Sequence, residues 1–206
     1  SSICLQQNLI LVDTLSNNQG WLSDQIIAFY FLYLEHEKFP LLAHRLLFVS
    51  PQITQWLKLG TVEEGISFLS SLNAGNKDFF FFAVNNSGNG RHSGSHWSLL
   101  VYSRASNTFY NFDSLNDFNS NASKQLVENL KLVFGCTSAA YVLHWNHQQL
   151  NNFDCGIHVL CNTENVISQI LCDGNLTRVG QIHEAQVSSK RAEVLGIIEY
   201  LMRNKN

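Results

Sequence analysis

Apolar residues recur at helical spacing from Trp21 to Phe39, where Ile26, Ile27, Phe29, Tyr30, Tyr33 and Leu34 make one broad face. Ser23 is placed to cap this helix and Pro40 to end it. Pro51–Leu59 and Thr61–Leu72 read as two shorter helices, the first opened by its proline and closed near Gly60. Asp78–Val84 contains FFFFAV, too short for a buried helix and composed like a strand covered on both faces. His96–Tyr102 and Thr108–Asp113 read as two strands joined by the polar SRASN turn, a hairpin. A helix over Asn121–Phe134, a strand over Ala139–Trp145, a helix over Asp154–Leu171 capped by Asp154, and a last helix over Ala192–Met202 complete the pattern. Strands and helices do not alternate regularly, so the expected class is α+β rather than a doubly wound sheet. With no repeat and no low-complexity linker, residues 1–206 are expected to form one domain.

The polar stretch Asn152-Phe153-Asp154-Cys155-Gly156 runs directly into the apolar helical pattern that begins at Ile157. A cysteine there stands at a helix N-terminus, where unpaired amide groups favour thiolate, the nucleophilic form. His96 in SHWSLLVY and Asp113 in YNFDSL could supply a base and the group that orients it. Gln149, six positions before Cys155, offers an amide donor for an oxyanion, with the adjacent Gln148 as its rival.

Composition narrows the classes. Charged residues are only 14% of the chain, against about 25% in typical domains, and the net charge is -3. Without a Lys/Arg run, nucleic acid and anionic membranes are poor partners, and no apolar stretch reaches the roughly 20 residues of a membrane span. The five cysteines have no CxxC pairing, which argues against a disulfide framework or a structural zinc and for a reducing compartment. SSICLQQN has neither the basic nor the apolar part of a secretory leader. The expectation is an intracellular protein of the cytoplasm, the nucleus or both.

Four blocks carry a resemblance: WLSD (Trp21 to Asp24), HWSLLVY (His96 to Tyr102), NFDSL (Asn111 to Leu115) and QQLNNFDCGIHVLCNTE (Gln148 to Glu164). With the order His96, Asp113, Gln149, Cys155, the chain resembles the Ulp or sentrin-specific cysteine proteases, and most closely their deneddylase branch. The resemblance implies a papain-like α+β fold, a central mixed sheet flanked by helices with the cysteine at a helix N-terminus. It also implies thiol proteolysis after the terminal diglycine of a ubiquitin-like modifier, on conjugates and precursors, by a monomer needing no cofactor and no metal. The neddylation modifier is the first-choice partner and SUMO the second. Trp21 and Trp97 are then expected to bracket the extended diglycine tail, and Asp24 to pair with an arginine of the modifier.

Each residue also has an ordinary reading. Cys161 and Cys172 fall inside a helix pattern and are expected in the core, and a histidine in a strand more often packs than reacts. Asp113 could simply cap the turn that follows it, Asp24 could be a first-turn helix carboxylate, and Trp97 could be a core residue. The Gly/Asn/Ser-rich segment NNSGNGRHSGSH before His96 is expected to move, as a lid or an ordinary connection. Two other classes stay open: a Cys-dependent acyltransferase, since a related clan of bacterial effectors uses the same order of groups, and a modifier-binding module without catalysis.

Overall fold

The computed structural model describes residues 12, 15–17, 19–88 and 94–204. Among these residues five strands form one sheet in the order β1 (Leu46–Val49), β2 (Phe79–Asn85), β3 (Trp97–Ser103), β4 (Thr108–Phe112) and β5 (Ala140–Leu143). The β2–β3 and β3–β4 pairs are antiparallel and the two outer pairs parallel, so the sheet is mixed. The expected hairpin is β3–β4. β1 is an addition to the sequence reading: its four residues carry no period of their own and become a strand by pairing with β2 from Leu46 opposite Phe79 to Val49 opposite Phe82.

Among the described residues the helices that cover the sheet are α1 (Asp24–Tyr33), α2 (Pro51–Leu59), α3 (Val62–Ser71), α4 (Ser120–Phe134), α5 (Cys155–Cys172) and α6 (Glu184–Asn204). Alternation along β2 divides the core. Phe79, Phe81 and Ala83 pack with α1, α5 and α6, while Phe80, Phe82 and Val84 pack with α2, α3 and α4. That two-sided burial is why the strand reads as an unbroken apolar run. None of the helices described is long and apolar enough to cross a membrane.

Local signals mostly act as expected. Ser23 accepts from the Ile26 amide, and Thr61 with Glu64 forms a reciprocal cap at the start of α3. α1 continues as a π-helical turn over Leu34–Lys38 before Pro40. Three expectations need correction. Asp154 occupies the N-cap position of α5 but makes no capping bond, because its carboxylate pairs with Arg191 at 2.7 Å and accepts from Asn151. α6 begins at Glu184, two turns before the expected Ala192. Its polar first half is held by two tertiary ion pairs, Lys190 with Glu164 and Arg191 with Asp154, beside the intrahelical pair of Lys190 with Glu193. Cys172, expected in the core, ends α5 and is exposed. Cys4 and the middle of the proposed lid, 89–93 with Arg91 and His92, lie outside the described residues.

Candidate active site

His96 directly precedes β3 and Asp113 directly follows β4. The hairpin register sets Leu99 opposite Phe112, which carries both residues to the same end of the sheet. There His96 Nε2 lies 2.6 Å from Asp113 Oδ1, and each residue is only 2% exposed. α5 crosses the β3 face of the sheet and presents its first residue, Cys155, to the same imidazole. With Nε2 held by Asp113, Nδ1 is the ring nitrogen left for the thiol.

Burial alone would lower the His96 pKa, but hydrogen bonds to Asp113 and Cys155, reinforced by their charge, raise it to about 9. The site therefore favours imidazolium at neutral pH, the partner that a helix-terminal thiolate requires. Cys161, two turns along α5, is the contrast: burial pushes its thiol up to about 12, which leaves it an inert core group.

Two asparagines that stand out in no sequence pattern hold this arrangement. Asn119, fully buried, donates its backbone N–H to Asp113 Oδ2 at 2.7 Å. Its side-chain Nδ2 donates to Val84 O, His96 O and Ser98 Oγ. Asn86 Oδ1 accepts from the backbone amides of Ser95 and His96. Asp113 Oδ1 also accepts from the Leu115 amide, so the turn-capping reading and the histidine-orienting geometry hold together. The Phe118 ring stands edge-on to the imidazole, 5.5 Å between centroids at 80°.

Gln149 lies in the loop leading to Cys155. One hydrogen of its Nε2 goes to Asn151 O at 2.6 Å, its Oε1 accepts from Ser114 Oγ, and its second amide hydrogen is available. Gln148 points the other way: it donates to Asp113 O and Asn146 O and accepts from the Asn116 amide, which makes it a strap of the Asp113 loop.

Trp21, Asp24 and Trp97 share a groove of about 540 Å³ with Gln52, Asn85 and Gly94. Trp97 Nε1 donates to Leu22 O, fixing the two tryptophan-bearing segments relative to each other. Asp24 accepts from the Gln25 amide, as a first-turn carboxylate does, and from Gln52 Nε2. Asn85 and Ser87 of this groove are held by Lys58, buried on α2, whose ammonium donates to both carbonyls and whose pKa burial lowers to about 8. Among the described residues, no group of three or more His, Cys, Asp or Glu side chains is arranged to hold a metal ion.

The sequence matches the model of the Ulp1 protease family, C-terminal catalytic domain, over residues 20–201. It is 33% identical to sentrin-specific protease 8 of Homo sapiens over 98% of this chain and 95% of that protein. It is 29% identical to NEDD8-specific protease 1 of Arabidopsis thaliana, covering 90% and 86%. In structure it is similar to the yeast Ulp1 protease domain solved in complex with the SUMO orthologue Smt3, with a TM-score of 0.68 at 19% identity, covering 91% of this chain and 80% of that one.

Proposed function

Since the chain belongs to the Ulp1 protease family, we propose that it is a thiol isopeptidase and precursor-processing protease that cuts after the terminal diglycine of NEDD8. One observation carries the chemistry: a buried His96, hydrogen-bonded to Asp113, has as its other neighbour a cysteine at the first position of a helix. The choice of NEDD8 is supported by near full-length similarity to sentrin-specific protease 8 and to a NEDD8-specific protease. SUMO is the second reading, favoured by the structural likeness to a SUMO-bound protease domain.

In this reading residues 1–206 form one protease domain, acting as a monomer in the cytoplasm, the nucleus or both. The modifier tail lies extended along the Trp21–Trp97 groove, with its two glycines passing the tryptophan rings, while Asp24 pairs with a tail arginine. The Cys155 thiolate attacks the terminal glycine carbonyl, with the developing oxyanion taking hydrogen bonds from the Cys155 amide and the free hydrogen of Gln149 Nε2. The carbon–nitrogen bond breaks and the amine leaves with the proton of the His96 imidazolium. Asp113 keeps that ring aligned. Water then attacks the thioester, giving a proton to His96 and returning the thiolate, so no cofactor enters the balance.

Fluorogenic carboxy-terminal amides of NEDD8, SUMO and ubiquitin test the reading. The NEDD8 amide is expected to turn over fastest and Cys155→Ala to remove all turnover while leaving NEDD8 binding intact. Retained turnover in that variant would exclude Cys155, and a SUMO preference would exchange the two readings.

A further inference from the structure

A second pocket, which shares no lining residue with the tryptophan groove, opens beside Asp113. It encloses about 390 Å³ and is lined by Asp113, Asn116, Asp117, Leu143, Trp145 and Gln148 among others. Asp113 belongs to the catalytic group as well, since its carboxylate holds His96 while its residue forms part of this wall. Phe118, packed edge-on against the imidazole, is 56% exposed, and Trp145 is 60% exposed. Large apolar groups left open beside a reacting centre are unusual for a surface that binds nothing.

Asn116 and Asp117 both have left-handed φ values, 44° and 61°, a conformation that among non-glycine residues asparagine and aspartate adopt most readily. Gln148 holds the Asn116 amide in place at 2.7 Å, and the Asp117 carbonyl takes the Ser120 amide at the start of α4. The result displays an Asp117 carboxylate that forms no ion pair among the described residues, in the same pocket as the Trp145 ring. An aromatic ring and a carboxylate lining one pocket, with room for a long side chain, suit a guanidinium or ammonium group.

We propose that this pocket is a subsite for the leaving chain, taking an arginine or lysine side chain of the acceptor protein close to its modified lysine. The inference rests on the tail running along the tryptophan groove. A chain passing over Cys155 from there and delivering its amine to His96 emerges beside Asp113 and Phe118. The subsite would let the enzyme rank conjugates of a single modifier by the acceptor sequence.

The test compares three NEDD8 substrates: the fluorogenic amide, an isopeptide to a peptide whose lysine is flanked by arginines, and the same isopeptide flanked by glutamates. The native chain is expected to favour the arginine peptide over the glutamate peptide by about tenfold in kcat/KM, as a cation–π contact with a partly exposed ion pair can supply. Trp145→Ala and Asp117→Asn are expected to bring that ratio to within about twofold, with turnover of the fluorogenic amide unchanged. Equal use of the two peptides by the native chain, or an undiminished ratio in both variants, would overturn the subsite. So would a shift from monomer to dimer that depends on Trp145, since the face would then belong to a second copy. No turnover of the fluorogenic amide by the native chain would instead defeat the NEDD8 protease reading, and the subsite with it.

Discussion

Gly156 presses so closely on Leu22 that a β-carbon at position 156 would stand 2.7 Å from the Leu22 Cβ. This contact joins the start of α5, and with it Cys155, to the segment between Trp21 and Asp24 that walls the groove. Gly156→Ala therefore has to push these two parts of the site apart. Overpacking of this kind costs about 1–3 kcal/mol, partly offset by the better helix propensity of alanine. The expected outcome is a Tm lower by about 2–6 °C and a kcat/KM that falls further than stability alone explains, read by calorimetry and steady-state kinetics.

Asn119 ties the backbone of His96 to the carboxylate of Asp113. Asn119→Ala removes the buried donor shared by Val84 O, His96 O and Ser98 Oγ, and each buried group left unsatisfied costs about 1–3 kcal/mol. Turnover is expected to drop by about 10- to 100-fold, mainly in kcat, because a misplaced imidazole damages chemistry more than binding. A loss confined to KM would show that Asn119 supports the groove instead.

The imidazolium of His96 sets the alkaline limb of activity. Its pKa, about 9 in the folded chain, is above the unfolded value of about 6.5. Its contribution to stability is thus complete below pH ~6.5 and is lost as pH rises through about 9. The pH profile of kcat/KM is expected to fall above about 9, and Asp113→Asn to move that limb to lower pH. An unmoved limb would mean that Asp113 does not tune the ring.

His158 titrates in the opposite sense. It is buried one helical turn beyond Cys155, stacked 5.7 Å from His147, with no partner for Nδ1. Burial, helped by the His147 charge, lowers its pKa to about 4. A base depressed in the fold is neutral there, so stability is whole above pH ~6.5 and declines as pH falls from 6.5 towards 4. Urea titrations of the native chain and of His158→Phe across that window are expected to show a shallower acid loss in the variant. Parallel curves would contradict the assignment.

Much of this architecture is legible in residue order because it rests on local patterns. The FFFFAV strand, the β3–β4 hairpin, the Ser23 cap and the cysteine at the head of α5 each follow from a few neighbouring residues. What escapes depends on partners distant in the chain. Leu46–Val49 becomes a strand only against β2, and the first turns of α6 are held by Lys190 and Arg191 through acids on α5 and its loop. Asp154 has the sequence context of a cap, yet Arg191, 37 positions away, claims its carboxylate. Asn86 and Asn119 sit in polar loops where an asparagine has no period to betray it, and only the fold shows that both hold His96. Trp145 and Asp117 are equally silent in sequence, since the pocket they share is assembled by the end of β5 and the loop after β4.

Reaction of the chain with a NEDD8 probe carrying a carboxy-terminal electrophile, followed by peptide mass mapping, tests the central claim most directly. The account predicts a single covalent adduct on Cys155, formed faster than with the SUMO and ubiquitin probes and strongly slowed by His96→Ala. An adduct on Cys161 or Cys172, or reaction at Cys155 that is indifferent to the loss of His96, would contradict it.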